Sequence, residues 1–316
     1  MCMRRRLLVT VAALVCSAGG ARAQEVRREF AELHMGVAVR LELYAPADAA
    51  ARVAARAAYT RIAELEDVMS DYRPQSEVRR LAEQPGIAVP VSEPLFAVLT
   101  RALALARQSD GAFDITVGPF VALWRSARRT GRLPNRAQLD SAARRVGWRK
   151  VHADSATRSI RLDTAGMQLD LGGIAKGYIL DQALLVLGRY GVTRALIQAG
   201  GDIVAGDPPP GLPGWRVDVP EAGPLVRARA AALARAALSL SGDTEQFVIV
   251  DGVRYSHVVD PHTGVGLTSR RQAAVVAGDG LTADGLSTAL TVLDDSGQAA
   301  LLRSYPGVVA EVWRAR

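Results

Sequence analysis

The 316-residue chain is short of thiols, lysines, aromatics and long apolar runs, and each shortage excludes something. Its two cysteines, Cys2 and Cys16, both precede residue 24. The rest of the chain therefore has no disulfide, no thiolate nucleophile and no cysteine-held zinc. Aromatics make up 5% of the residues, so the core must be built from Ala, Val and Leu. No apolar run reaches the roughly 20 residues of a membrane span. Basic stripes with interleaved aromatics are missing too. Arg27 and Arg28, for example, sit between Glu25 and Glu29, and nucleic acid is not an expected partner.

The net charge of +7 owes much to the first 23 residues. Arg4, Arg5 and Arg6 precede an apolar stretch from Leu7 to Val15, and Ala21-Arg22-Ala23 fits a small-x-small cleavage site. That is the pattern of a secretory signal peptide cut before Gln24. Its loss removes four arginines and no acid, which leaves +3. The expectation is an exported, periplasmic protein with a single domain over residues 24–316. Val15 before Cys16 speaks against lipid attachment there. Arg4-Arg5-Arg6-Leu7-Leu8 partly resembles a twin-arginine signal, so both export routes stay open.

What remains is ordinary globular composition, 49% apolar and 22% charged. Alternation predicts a strand over Val37–Tyr44, and helical spacing predicts a helix over Ala49–Met69. Ser92 should cap a helix running to Gln108, and Arg125–Arg145 reads as a polar, basic excursion. Strands are expected at Met167–Leu171, Ala195–Gln198, Trp215–Val219, Ala237–Leu240, Phe247–Val250, Ala273–Ala277 and Val308–Trp313. Helices are expected at Ala175–Tyr190 and Thr282–Leu293. The mixture has no regular βαβ beat. It implies one intertwined α+β domain of mixed sheets and flanking helices, with room for two lobes.

Four segments carry chemistry. In Asp170-Leu-Gly-Gly-Ile-Ala-Lys-Gly-Tyr178, followed by Asp181, a strand ending in an acid passes through paired glycines into a helix. Such a start lets a backbone approach a ligand and turns N–H groups toward an anion, with Lys176 adding charge. Lys176 is one of only two lysines, which hints that Arg would not serve. In Gly111–Phe120, with Trp124 after it, Asp114 could accept a hydrogen bond from a planar heterocycle. In Tyr255–Gly264 a short strand bears His257, a candidate semi-buried general base. A serine-hydrolase reading of Ser256 fails because no Gly-x-Ser-x-Gly elbow exists. In Thr282–Thr288, Asp284 and Thr288 lie four apart on one helical face. One carboxylate and one hydroxyl suit a hard ion such as Mg²⁺. Each segment alone is also what a packing turn or a solvated helix start would contain.

Together and in this order, the segments resemble the ApbE family of FAD:protein FMN transferases. The resemblance also includes Met69–Glu77, Ala199-Gly-Gly-Asp-Ile203 with Trp215, and Ser241-Gly-Asp243. It implies that FAD is split at its pyrophosphate, FMN passes to a Thr or Ser hydroxyl of an acceptor protein, and AMP leaves. It further implies Mg²⁺ on Asp284, Thr288 and a main-chain carbonyl of the Gly173–Ala175 turn, taken as that of Gly173. The FAD site would use Met35, Tyr72, Ala112, Phe113, Asp114, Asp170, Lys176 and Val258. His257 would be the base, with Asp260 as the competing assignment. The implied partners are FAD and an exported acceptor protein, through which the chain could associate loosely with the inner membrane. Val37, Gln198, Thr244 and Gly285 depart from the family pattern. Two other activities fit the same residues: Mg²⁺-dependent FAD hydrolysis to FMN and AMP, and flavin binding without turnover.

The signal-peptide reading is checked by intact mass of exported material. The expected species begins at Gln24 and has no titratable thiol, whereas a mass that retains Cys16, with or without lipid, contradicts it.

Overall fold

Strict alternation builds the first hairpin. In the computed structural model, which describes residues 25–219, 221–242 and 247–315, β1 (Val26–His34) pairs antiparallel with β2 (Val37–Ala45) around Met35 and Gly36. Both turn residues have positive φ, 53° and 74°, as a two-residue type I′ turn requires. Along β2, Val39, Leu41, Leu43 and Ala45 point into the core, while Arg40 points out.

The later strands are β3 (Ala88–Pro90), β4 (Val151–Asp154), β5 (Ser159–Leu162), β6 (Ala195–Ala199) and β7 (Asp202–Ala205). They continue with β8 (Ala236–Ser241), β9 (Phe247–Val250), β10 (Val253–Ser256), β11 (Arg271–Ala277) and β12 (Val309–Arg314). The helices are α1 (Asp48–Met69), α2 (Glu77–Ala82), α3 (Glu93–Gln108), α4 (Gly118–Thr130) and α5 (Arg136–Ala143). After them come α6 (Ala175–Arg189), α7 (Pro224–Ala230), α8 (Gly280–Val292) and α9 (Asp295–Leu302).

The main sheet has seven strands in the order β1-β2-β6-β7-β8-β11-β12, and every ladder in it is antiparallel. Neighbours β2 and β6 are separated in sequence by α1–α6 and by the small sheet β3-β5-β4. The chain thus leaves its sheet and returns to it, which makes the α+β domain intertwined. On one face α1, α6 and α8 cover Leu41, Ile197, Val204, Ala273 and Val275. On the other, α7 with Trp215, Val219 and Leu233 covers Ile203, Leu238, Ala274 and Val276. Alternate residues of β11 therefore enter different cores, and the strand is apolar from Ala273 to Ala277. A third, smaller core joins α4 to the 255–265 segment through Phe120, Trp124, Val259 and Tyr255.

Two expected strands do not form. Met167–Leu171 makes a single parallel bridge, Val117↔Gln168, and Trp215–Val219 a single antiparallel bridge, Trp215↔Leu233. Both are apolar because they are buried, yet neither has a ladder partner. Arg125–Arg145 holds the C-terminal part of α4 and all of α5, the latter opened by an Asn135–Gln138 capping box. Helix α8 starts at Gly280, earlier than Thr282, because Asp279 caps it. Among the described residues no helix is long and apolar enough to cross a membrane. The expected signal peptide, Asp243 and Thr244 lie outside the described residues.

Candidate active site

Helices α6 and α8 meet backbone to backbone at Gly177 and Gly280. A Cβ on Gly177 would lie 2.0 Å from the Gly280 carbonyl oxygen, so no other residue fits without separating the helices. This crossing carries Asp284, 3% exposed, onto the first turn of α6, where its Oδ2 accepts from the Gly177 N–H at 3.0 Å. The anion-favouring helix start that the glycines suggested thus receives a carboxylate of the protein itself. One turn on, Thr288 lies against Gly173, where an added Cβ would sit 2.9 Å from the threonine Oγ1. Asp284, Thr288 and the Gly173 backbone are thereby brought together. Among the described residues no three His, Cys, Asp or Glu side chains gather into a metal cage.

Lys176 forms an ion pair with Asp202, a buried acid on β7. Asp202 also accepts from Ser239 Oγ at 2.6 Å, and Ser239 Oγ lies 3.0 Å from Ser287 Oγ. Ser287 in turn donates to the Asp284 carbonyl at 2.9 Å. Lysine's ammonium is a compact point charge on a flexible stem, and here it reaches the Asp202 carboxylate. Asp181 on α6 reaches across to the start of α8, where its oxygens accept from the N–H groups of Gly280 and Leu281 at 2.8 and 3.0 Å. Burial lifts its pKa to about 6. Burial, reinforced by the Asp202 charge, also pushes Asp284 well above the usual carboxylate range, with Lys176 opposing.

The Asp170 amide donates to the Ile115 carbonyl at 2.7 Å, which sets the second segment against the first. Asp170 Oδ1 accepts from the Gly172 N–H at 2.8 Å. Its carboxyl is pushed upward by burial and by Asp71, against Gly172 and Arg125. Asp114 is 7% exposed and braces its own loop. Oδ1 takes the Thr116 N–H and hydroxyl at 2.7 and 2.6 Å, and Oδ2 takes the Trp148 N–H at 2.9 Å. One of a carboxylate's roughly four acceptor positions is left for a heterocycle. Ala112 and Phe113 are buried, Met35 and Val258 half-buried, and Tyr72 is 71% exposed with its ring under Arg125.

The third segment docks through Trp124, whose Nε1 donates to the Gly264 carbonyl at 2.8 Å. Here the expectation needs correcting: β10 ends at Ser256, and His257, just beyond it, is exposed rather than semi-buried. The inward positions on either side belong to Ser256 and Val259, which leaves the histidine facing outward. Asp260 is committed to its turn, accepting from the His262 N–H at 2.9 Å and the Thr263 hydroxyl at 3.0 Å. Asp181 and Asp202 lie within the sequence motifs, where local pattern assigns them no role. Their burial, which makes them matter, has no signature in local pattern. Asp71 lies within Met69–Glu77 but had no role of its own, and Arg125 had no signal beyond being charged.

Asp181 offers a sign test. Its folded pKa of about 6 lies above the ordinary 3.8. Its stabilising contribution is therefore complete below pH 4 and lost as pH rises through 6. In urea denaturation with EDTA, the stability of wild type relative to Asp181→Asn should fall by about 2–3 kcal/mol between pH 4 and pH 7.5. A difference that does not change with pH would contradict the buried-acid description.

Residues 35–313 match the ApbE family. The chain is 35% identical to the FAD:protein FMN transferase of Treponema pallidum, over 96% of this chain and 89% of that one. It is 31% identical to the protein of that name from Klebsiella pneumoniae, over 87% and 85%. Its fold matches the flavin transferase ApbE of Vibrio cholerae with a TM-score of 0.79 and 26% identity, covering 90% of this chain and 93% of the other. The ApbE protein of Thermotoga maritima matches with a TM-score of 0.77 and 28% identity, over 92% and 97%. With the match spanning nearly the whole described structure, the chain belongs to the ApbE family.

Proposed function

We infer that this chain splits FAD at its pyrophosphate, passes FMN to a Thr or Ser hydroxyl of an acceptor protein, and releases AMP. It is a FAD:protein FMN transferase, an enzyme of covalent flavin attachment. The observation that carries the site assignment is the α6–α8 crossing, which sets a buried carboxylate, a hydroxyl and a glycine turn side by side.

These donors fit Mg²⁺. Asp284, Thr288 and the Gly173 carbonyl form an all-oxygen set with one carboxylate, the kind that leaves coordination places for water and phosphate. A buried acid driven toward its neutral form beside Asp202 is also a group that a cation would keep ionised. When bound, the ion supplies positive charge against the phosphates. Met35, Tyr72, Ala112, Phe113, Asp114, Asp170, Lys176 and Val258 hold FAD in this reading. His257 takes the proton of the acceptor hydroxyl as its oxygen bonds to the FMN phosphorus and the bond from that phosphorus to AMP's oxygen breaks. The work is done outside the inner membrane after export through residues 1–23. The acceptor is an exported protein that also supplies any loose membrane association.

The metal assignment is checked without turnover by thermal unfolding. Because Mg²⁺ must displace a proton from Asp284, its apparent affinity should weaken by up to about tenfold per pH unit on acidification. Asp284→Ala should abolish both the Mg²⁺ shift and flavin transfer, read by in-gel fluorescence of an acceptor. Transfer at the wild-type rate in EDTA rules the metal out.

The base is checked by His257→Ala. FAD binding should persist while transfer falls by about 10²–10⁴-fold, and the acidic limb of the pH–rate profile should disappear. A collapse of FAD affinity, or transfer within a few-fold of wild type, would move the base elsewhere.

A further inference from the structure

Arg125 stands where three separate parts of the chain converge. It lies on α4, directly after Trp124. Its Nη1 is 2.6 Å from Asp71 Oδ2, in the turn that follows α1. Its Nη2 is 3.4 Å from Asp170 Oδ2, in the turn that leads to α6. The plane of the same guanidinium lies over the Tyr72 ring, with Cζ 4.0 Å from the ring centroid. Both carboxylates are largely buried, with side chains 18% and 15% exposed, whereas the Tyr72 ring is 71% exposed. One face of that ring is backed and the rest is open.

We propose that Arg125 is a positioning residue for FAD, tying the Asp71–Tyr72 turn to Asp170 so that the open face of Tyr72 is held as a platform for one of FAD's planar heterocycles. The proposal rests on the FAD-transferase reading above and names a residue that reading does not use. Four physical points carry it. A planar fork can serve two carboxylates at its edge and an aromatic ring at its face, and lysine cannot do all three. Without the cation, Asp71 and Asp170 would be two neighbouring carboxylates with nothing between them, and their repulsion would spread the turns that carry the platform. Arg125 Nε is buried with no hydrogen-bond partner among the described residues. That is a cost to the fold, so stability alone does not account for the arginine. An exposed tyrosine on a turn would otherwise have to be ordered each time a ligand stacked on it, and a ring already held in place avoids that entropy loss.

The test is FAD, FMN and AMP binding by calorimetry, with steady-state transfer alongside, for wild type, Arg125→Met, Arg125→Lys and Asp71→Asn. Arg125→Met should weaken FAD binding by about tenfold, the scale of a desolvated cation–ring contact plus an ordered turn. KM for FAD should rise several times more than kcat falls. Arg125→Lys should recover only part of the loss, because it restores charge without the fork. In a Tyr72→Ala background the effect of Arg125→Met should shrink to less than half, since the platform it supports has gone. Loss in the FMN arm or in the AMP arm identifies the ring that stacks. If Arg125→Met does not fold, Asp71→Asn opens one end of the same clamp with the arginine kept, and it should weaken FAD binding several-fold. Unchanged FAD binding in the folded variants, or the same loss with and without Tyr72, overturns the proposal. Failure of wild type to bind FAD at all would instead overturn the transferase reading beneath it.

Discussion

The contact between α6 and α8 at Gly177 and Gly280 governs the rest of the molecule. It lets Asp284 reach the first turn of α6 and puts Thr288 against the Gly173 turn. It also allows Asp181 to close the start of α8 from the other helix. Burying a carboxylate is expensive unless donors and opposite charge surround it. Here the Gly177 N–H, the α6 helix start and the nearby Lys176 supply part of that compensation. Asp202 works against it, and the balance leaves Asp284 with a raised pKa. Burial and the Asp202 charge thus outweigh the compensation that the surroundings provide.

Much of this arrangement was legible in the residues, for identifiable reasons. Strand β2 could be read because one of its faces is buried and the other is not, so Val39, Leu41 and Leu43 alternate with polar neighbours. Helix α3 announced itself through Ser92, whose Oγ accepts from the Leu95 N–H. Burial without pairing was not legible. Met167–Leu171 and Trp215–Val219 have strand-like composition because they line cores, and composition does not say whether a ladder partner exists. The site showed the same division. Glycine pairs and the Asp284–Thr288 spacing are local signals and could be found. The Lys176–Asp202–Ser239–Ser287 chain joins α6, β7, β8 and α8 and exists only once the sheet has formed.

The acids of the site fall into two groups with different cations. Asp202 and Asp284 lie within the α6–α8 crossing against the sheet and share Lys176. Asp71 and Asp170 lie toward the rim and share Arg125. The division matches the chemistry of the two side chains. A compact ammonium fits a recessed carboxylate with one open approach, while a wide planar fork spans two carboxylates and still offers a face to Tyr72. In a chain whose basic residues are almost all arginine, the cation that meets the buried Asp202 is a lysine.

The exposure of His257 follows from its place just beyond β10, between the inward-facing Ser256 and Val259. On the reading proposed above, the proton comes from a hydroxyl carried by another protein, and an exposed side chain is within reach of such a group. Asp260, three positions on, is worse placed for this task even though it is close. Its two oxygens already hold the His262 N–H and the Thr263 hydroxyl, and surrendering either would loosen the turn that the segment needs. The Trp124–Gly264 hydrogen bond and the small core around Val259 and Tyr255 anchor this segment against α4 from below. The outward-facing His257 therefore stands on a segment that is braced from beneath, while its own ring is left at the surface.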